Sequence, residues 1–454
     1  ISMNQPIAIS GAGPAGSLLA ILLGKRNIPV RLFERRPDPH IQKQGTGRSI
    51  NLALADRGIH ALKHAGVFES VAPLMIPMHG RCIHDLNGTT QFFPYGQHPN
   101  EVIYSISRNA LNDVLLTHAK QLAGVEIKYS TACNDIDFDK SELILQDTVN
   151  HVQHRQSFSI LIAADGANSP TRQALTRQLG SKTSIDILPH GYKELTLPAS
   201  VTGQHQLERC ALHIWPRGGF MLIALPNLDG SFTVTLFLSF QNQEKFLESF
   251  HGLQNREDID RFFQKYFPDA AALMPNLADQ FINNPTGKMS TVTTSTWTDQ
   301  QIVLVGDAAH AIVPFHGQGM NCAFEDCIEL DNLMQNKPLK EAFRQFESHR
   351  RPNAQAIANM ALENYIEMRD TVRHPKFQLQ KALSFKLEKL YPNQFIPRYS
   401  MVMFHHEIPY AMAYERGQIQ QAILDELTQS ADTEDQVDLD LAAKLIQSKL
   451  SPLA

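Results

Sequence analysis

An α/β chain, in which a Rossmann-like nucleotide-binding domain is interleaved with a separate β-sheet domain and followed by a helical C-terminal region, is the architecture these 454 residues predict. Three observations predict it. A glycine-rich turn joins a strand to a helix near the start, alternating β-rich sequence fills Gly191 to Phe240, and the chain from about Glu341 onward is strongly helical with few turn signals.

The opening element is Pro6-Ile-Ala-Ile-Ser10, apolar and strand-like, followed at once by Gly11-Ala-Gly13-Pro-Ala-Gly16 and the helix-prone Ser17 to Gly24. A second strand, Val30-Arg-Leu-Phe-Glu34, ends in an acid 18 residues beyond Gly16, near the distance that a βαβ dinucleotide site requires. Glycines permit the tight turn and let backbone amides approach a pyrophosphate at the positive end of a helix, and the acid accepts hydrogen bonds from a ribose diol. Helical periodicity follows at Asp56 to Ala65 and Arg108 to Leu122. The strand Ile160-Leu-Ile-Ala-Ala164 runs into Asp165-Gly166, and Gln301-Ile-Val-Leu-Val305 runs into Gly306-Asp307. In the β-rich stretch, Phe232-Thr-Val-Thr-Leu-Phe237 alternates with period two. No internal repeat and no low-complexity tract is present.

Composition narrows the function. With 43% hydrophobic and 19% charged residues the chain is globular and long enough for two or three cores. Its 41 Lys+Arg against 46 Asp+Glu give a net charge of −5 without a block of one sign, which excludes an electrostatic footprint for nucleic acid or anionic lipid. The five cysteines fit no zinc or disulfide spacing and read as buried thiols of a reducing compartment. No apolar run approaches the roughly 18 residues that span a bilayer, and no secretory leader opens the chain, so a soluble, cytoplasmic protein is expected. Ile1-Ser2 ahead of Met3 reads as a remnant of processing. The stretch Ile446 to Ala454 is not apolar enough for an anchor, which fits the expectation of a soluble form.

Two further strings carry chemistry. Ala163-Ala-Asp165-Gly-Ala-Asn-Ser169-Pro-Thr-Arg172 delivers a carboxylate from a strand into a turn. Gly306-Asp307-Ala-Ala-His310-Ala-Ile-Val-Pro314-Phe-His-Gly317-Gln-Gly319-Met-Asn321 does the same, then enters a helix carrying Glu325 and Asp326 through a glycine-rich loop suited to an anionic or electron-rich group. A structural βα turn explains a Gly-Asp pair alone but not the whole string.

With its three motifs in order, the chain resembles the flavin-dependent aromatic hydroxylases, the single-component monooxygenases typified by 4-hydroxybenzoate hydroxylase. Six further strings are similar to the kynurenine 3-monooxygenase family within them: Gly47-Arg-Ser-Ile-Asn-Leu-Ala-Leu54, Pro77-Met-His-Gly-Arg81-Cys-Ile-His-Asp85, Phe93-Pro-Tyr95-Gly, Ile103-Tyr-Ser-Ile-Ser-Arg108, Glu363-Asn364-Tyr-Ile-Glu-Met-Arg369 and Tyr399-Ser-Met-Val-Met-Phe404.

The resemblance implies an FAD-binding domain over residues 3–80, 103–185 and 290–335, a substrate domain over 81–102 and 186–289, and a helical region over 336–454. It implies FAD as cofactor, held by Gly11, Gly13, Ala15, Gly16, Glu34, Arg35, Ala53, Arg108, Asp165, Asp307, Pro314, Gly319, Met320 and Asn321. Glu34 is expected at the adenosine ribose, Asp307 at the ribityl or pyrophosphate region, and the amides of Gly319, Met320 and Asn321 at the pyrimidine edge of the flavin. The role of Asp165 stays open between FAD and NAD(P)H. NADPH is implied as co-substrate, and no second glycine fingerprint after Gly16 offers it a separate Rossmann domain.

The implied reaction is hydroxylation of L-kynurenine to 3-hydroxykynurenine with NADPH and O₂ through a C4a-hydroperoxyflavin, in the kynurenine pathway of tryptophan degradation and NAD biosynthesis. Arg81 and Tyr95 take the substrate carboxylate, and Asn364 and Tyr399 occupy the family's C-terminal substrate positions. A guanidinium fork suits a carboxylate and a phenol adds a directional donor. Phe237, Phe315 and Met221 are candidates for an aromatic pocket, against the plainer reading of sheet core. His316 is expected to contact flavin or substrate and His310 to be structural. His405-His406-Glu407 lacks a third ligand at helical or strand spacing, so no metal is expected. The alternatives are a related flavin hydroxylase of another aromatic acid and a non-catalytic flavin redox sensor. A lid over Met368 to Met403, with Pro375, Pro392 and Pro397, is expected to gate the pocket. Oligomeric state has no sequence signal.

Overall fold

The computed structural model describes residues 5–41, 51–243 and 248–453, so Gly47 to Ile50 of the first resemblance string lie outside the described residues. The chain divides into two compact units: residues 1–75, 106–187 and 290–358 form one, and residues 76–105, 188–289 and 359–454 form the other. The C-terminal helices beyond residue 358 thus group with the β-rich segments.

The first unit is built on a parallel sheet. Ile7–Ser10 lies at its centre, flanked by Val30–Phe33 and Leu161–Ala163, with Val125–Lys128 outside the former and Ile302–Leu304 outside the latter. Thr298–Asp299 closes one edge antiparallel. Such strands are covered on both faces, which is why they read as continuous apolar runs. The helix Pro14–Lys25 follows the first strand and is buried continuously from Gly16 to Gly24, packed against the helices Arg108–Lys120 and Gly319–Asn336. A three-stranded antiparallel sheet, Gln153–Ser157, Glu142–Asp147 and Thr131–Asp137, completes this unit.

The second unit rests on a mixed seven-stranded sheet in the order Thr286–Thr294, Thr183–Leu197, Phe232–Ser239, Met221–Pro226, Leu212–Pro216, Gly80–His84, Thr90–Pro94. Its core packs Trp215, Phe220, Phe232 and Leu236 against Phe262, Phe263, Phe267 and Phe281 of the helices Arg256–Tyr266 and Leu277–Asn283 and their flanks. The helices Pro375–Leu390, Tyr410–Leu427 and Leu439–Lys449 bury a second cluster around Leu387, Phe395, Ile423 and Ile446. Among the described residues, no helix is long and apolar enough to cross a membrane.

Candidate functional site

The glycines of the first turn are required for two different reasons. Gly11 has φ of +95°, and a Cβ there would stand 2.3 Å from the Ala164 carbonyl oxygen. A Cβ on Gly16 would stand 1.9 Å from the Gly11 carbonyl oxygen, so the helix can reach the strand only as glycine. Gly13 differs, because nothing lies within 4 Å of a Cβ built there. It opens the helix Pro14–Lys25 as its N-cap without a side-chain cap and with no acid in the first turn, leaving the positive helix end bare. That open space before uncapped amides is the shape a pyrophosphate needs.

Glu34 is 5% exposed at the end of its strand. Its Oε2 accepts from the Ala12 amide at 3.0 Å, and its Oε1 accepts from the Arg36 amide at 2.9 Å and Arg36 Nε at 3.0 Å. Arg36, rather than the exposed Arg35, reaches this carboxylate. Glu34 and Arg36 line a cleft of about 270 Å³ with Asn112 and Tyr129. The Tyr129 hydroxyl is buried and has no partner, and burial among Asp38, Glu34 and Asp113 pushes its pKa up to about 12. A neutral, unsatisfied phenol beside a carboxylate provides one donor and several acceptors for a nucleoside. These residues fit FAD.

The Asp-Gly motif is tightly tied. Asp165 accepts from the hydroxyl of Ser169 and from Thr171 Oγ1 at 2.6 Å. Burial pushes its carboxyl above the usual range, against the opposing pull of those hydroxyls. Arg172, fully buried, donates to the carbonyls of Ala308 at 2.9 Å and Ala167 at 2.7 Å, joining this turn to the Gly-Asp turn. There Asp307 is exposed. Its neighbour in the helix Gly319–Asn336, Asp326, is not: it accepts from Gly306 N at 2.9 Å, from Arg350 Nε at 2.7 Å and from His310 Nε2. Burial alone would raise the Asp326 pKa, but His310 and Arg350 bring it down to about 2. Arg350 also reaches Glu325, which Arg57 holds at 3.0 Å.

The glycine-rich loop is pinned by Asn321. Its Oδ1 accepts from Ala55 N and Gly58 N at 3.0 and 3.1 Å, and its Nδ2 donates to Ala53 O and Gly317 O at 2.8 and 2.9 Å. With four bonds to the backbone, the Asn321 side chain shapes the loop, and only its amide is left to face a ligand. Pro314, Phe315 and His316 form a single 3₁₀ turn in which Phe315 and His316 are buried. Gly319 begins the helix with no side-chain cap and nothing within 4 Å of a built Cβ. Ala15 and Met320 are half-buried, and Arg108 is exposed at the first position of its helix.

In the second unit, a buried cluster with a net positive charge forms around Arg81, which is 3% exposed on the strand Gly80–His84. Its Nη1 donates to Glu367 Oε2 at 2.9 Å, its guanidinium carbon lies 5.0 Å from the Tyr399 ring centroid, and its Nε is buried without a partner. Tyr399 stacks on Tyr95 at 5.7 Å between centroids and 16° between planes. Burial opposes the charge on Glu367, yet Arg81 holds its carboxyl below the usual range. Burial, reinforced by Arg81, pulls Lys381 down to about 8. Burial also raises the Tyr95 and Tyr399 pKa values, so both phenols are neutral donors.

Three of the expected substrate residues thus meet: Arg81, Tyr95 and Tyr399. Asn364, buried one turn before Met368, donates to its Sδ at 3.4 Å. Phe237 packs edge-on to Tyr365 at 6.3 Å and pairs across the sheet with Met221, and Tyr365 bonds His190 Nδ1 at 2.7 Å. Phe315 and His316 belong to the first unit, apart from these in the chain's division. Glu367 and Lys381 escape sequence reasoning. The only available signal was that Glu367 lies in the Asn364-to-Arg369 string, one helical turn from Asn364.

The family model described as FAD binding domain matches residues 4–361. A kynurenine 3-monooxygenase of Myxococcus xanthus is 44% identical over 451 residues, covering 99% of this chain and 96% of that protein. Those of Stenotrophomonas maltophilia and Dictyostelium discoideum are 45% and 41% identical, covering 96% and 99% of this chain and 95% and 99% of those proteins. Among solved structures, 2-methyl-3-hydroxypyridine-5-carboxylic acid oxygenase aligns with TM-score 0.64 at 20% identity, covering 85% of this chain and 98% of that one. The p-nitrophenol 4-monooxygenase of Pseudomonas putida aligns with TM-score 0.64 at 15% identity, covering 92% and 98%. At these identities the two structures share the fold alone.

Proposed function

The chain belongs to the kynurenine 3-monooxygenase family of FAD-binding proteins, and from that membership we propose that it is a flavoprotein monooxygenase hydroxylating L-kynurenine to 3-hydroxykynurenine with NADPH and O₂. When bound, FAD takes two electrons from NADPH and activates O₂, so that one oxygen atom enters the ring and the other leaves as water. The remaining work falls to the chain. The open turn at Gly13 would receive the pyrophosphate, Glu34 would accept from the adenosine ribose in exchange for its bonds to Arg36, and the exposed Asp307 would meet the ribityl or pyrophosphate region. The uncapped start of the helix at Gly319 provides amides and a positive helix end for negative charge on the pyrimidine edge.

The single observation that carries the substrate assignment is the state of Arg81: buried, anchored by Glu367 on one side, and with Nε lacking any partner. A buried guanidinium with an unused donor is satisfied by a carboxylate, which accepts two parallel bonds. Tyr95 and Tyr399, neutral and stacked, add hydroxyl donors, and Lys381 adds positive charge. Glu367 keeps the substrate-free pocket from holding bare cations. The aniline amine of kynurenine already directs electron density to the ortho ring carbon, so the site needs no strong base, and His310, bonded to Asp326, is left structural. The five free cysteines support a reducing, cytoplasmic setting.

The test is NADPH oxidation by the FAD-loaded protein with and without L-kynurenine, with product identified by mass. Strong stimulation and one oxygen added to the ring are expected. Stimulation without oxygenated product reduces kynurenine to an effector, and no stimulation overturns the substrate.

A further inference from the structure

The strand that presents Arg81 has a second face. Side chains alternate across a strand, so Cys82 and His84 share the face opposite Arg81, and the parallel register sets His213 directly beside Cys82. Cys82 Sγ, one ring nitrogen of His84 and one of His213 lie within 4.8 Å of one another. His84 and His213 are 3% and 1% exposed. No residue of this group belongs to the carboxylate pocket.

The surroundings assign the ring protons. His213 Nε2 lies 2.7 Å from the Glu208 carbonyl oxygen, which can only accept, so this nitrogen carries the hydrogen and Nδ1 the lone pair. His84 Nδ1 lies 3.2 Å from Asp269 Oδ2, and that carboxylate already accepts from Trp215 Nε1 at 3.0 and 3.1 Å. An ionised Asp269 therefore fixes the His84 hydrogen on Nδ1 and leaves the lone pair on Nε2. The two lone pairs then face each other, His84 Nε2 and His213 Nδ1 standing 2.8 Å apart. Only a positive species between them relieves this: a shared proton, or a metal ion. A carboxylate and a backbone carbonyl on the far nitrogens of two facing histidines is the outer shell that metal-ligating histidines have. The third donor, a buried thiol, completes a set of two nitrogens and one sulfur, borderline-soft and suited to zinc.

We propose that Cys82, His84 and His213 bind a zinc ion on the face of the strand opposite Arg81, with the fourth position open to water. Zinc to nitrogen bonds of about 2.0–2.1 Å put two tetrahedral ligand nitrogens about 3.3 Å apart, so the rings need to part by only about half an ångström. Cys82 binds as the thiolate and its proton is released, so uptake is accompanied by acidification. The ion ties Gly80–His84 to Leu212–Pro216 behind the substrate arginine, steadying the strand rather than taking part in the chemistry.

Cobalt(II) is the probe, because a tetrahedral thiolate-ligated cobalt gives visible bands at longer wavelength than bound flavin. We expect chelator-treated, FAD-loaded protein to take up one equivalent of cobalt with those bands, and zinc to bleach them. Cys82→Ser loses or shifts and weakens those bands, because oxygen replaces the sulfur ligand, while leaving kynurenine-dependent NADPH oxidation intact. Asp269→Asn, which keeps all three ligands, weakens cobalt binding about 10–100-fold. Absence of the bands in the unmodified protein, or bands that survive unchanged in Cys82→Ser, overturns the site and leaves a shared proton between the two histidines.

Discussion

In the nucleotide unit the phosphate-facing and flavin-facing parts of the site are made of backbone, with Glu34 the exception at the ribose. Gly11, Gly13 and Gly16 act by what they lack, and even the polar side chains there, Asn321 and Arg172, are turned to carbonyls and amides rather than outward. In the sheet unit the site is made of side chains, with Arg81, Tyr95, Glu367, Lys381 and Tyr399 drawn from separate stretches spanning more than three hundred residues of chain. A backbone site must be contiguous in sequence, since consecutive amides form it. A side-chain site needs only convergence in space, and its parts can be exchanged one at a time.

The sharpest break of this comparison lies within the fingerprint itself. Gly16→Ala places a Cβ 1.9 Å from the Gly11 carbonyl, and the helix is packed on every side, so no FAD-loaded folded protein is expected on purification. Gly13→Ala meets open space at an ordinary φ of −72°. The fold survives with its melting temperature in the absence of cofactor unchanged, while FAD affinity falls about tenfold or more, a loss of about 1.4 kcal/mol. Fluorescence titration of the apoprotein checks it. Unchanged FAD affinity in Gly13→Ala removes the pyrophosphate from that space.

Next in size is the buried ion cluster that holds the Gly-Asp loop. Asp326→Ala strands Arg350, 5% exposed, without its main partner and costs about 3–5 kcal/mol in urea unfolding. The same group sets an acid limit. Its folded pKa of about 2 lies below the unfolded value, so its stabilisation is present above about pH 4 and is lost as pH falls from about 4 to about 2, roughly 2 kcal/mol in all. Asp326→Asn, compared with the parent at about pH 7 and about pH 3, lacks that part of the decline.

Such cases mark what could be read in advance. The fingerprint, Glu34 and the two aspartate turns were legible because each is a strand, a turn and a helix in unbroken order. The bond from Arg36 to Glu34 is not legible, because the strand ends at Phe33 and alternation no longer says which of two adjacent arginines reaches back to the carboxylate. The amide of Asn321 is expected at the flavin, but the sequence does not show that its side chain braces the loop with four hydrogen bonds to the backbone. Nothing in the sequence couples Asp326 to Arg350, 24 positions on, until two helices pack. Glu367 and Lys381 are silent for the same reason: a charge on a helix reads as a solvated face until Arg81 arrives from a distant strand, as counter-ion to Glu367 and as a like charge beside Lys381.

In the side-chain site a single exchange removes function while leaving the nucleotide unit intact, at some cost in stability because Glu367 loses its partner. Arg81→Ala raises the KM for kynurenine about 100-fold, near 3 kcal/mol, with FAD affinity unchanged, as expected for one partner of a desolvated charge pair. Arg81→Lys recovers little of it, because a point charge cannot reproduce the planar fork. If FAD affinity falls in parallel with KM, the two sites are coupled and the contrast between the units fails.

The smallest effect is the most specific. Burial first, then repulsion from Arg81, lowers Lys381 to about 8, so its ammonium is charged at neutral pH and discharges as pH rises through 8. The KM for an anionic carboxylate therefore climbs a few-fold between about pH 7 and about pH 9, and Lys381→Met holds KM at the high-pH level throughout. Stability moves the other way. Between about pH 8 and about 10.4 the unfolded chain still binds the proton that the folded chain has released, so this group makes unfolding harder as pH rises. Weaker binding in a firmer protein separates discharge of Lys381 from alkaline unfolding, in which both would decline together. A KM that stays level across this range in the parent protein removes Lys381 from the carboxylate pocket.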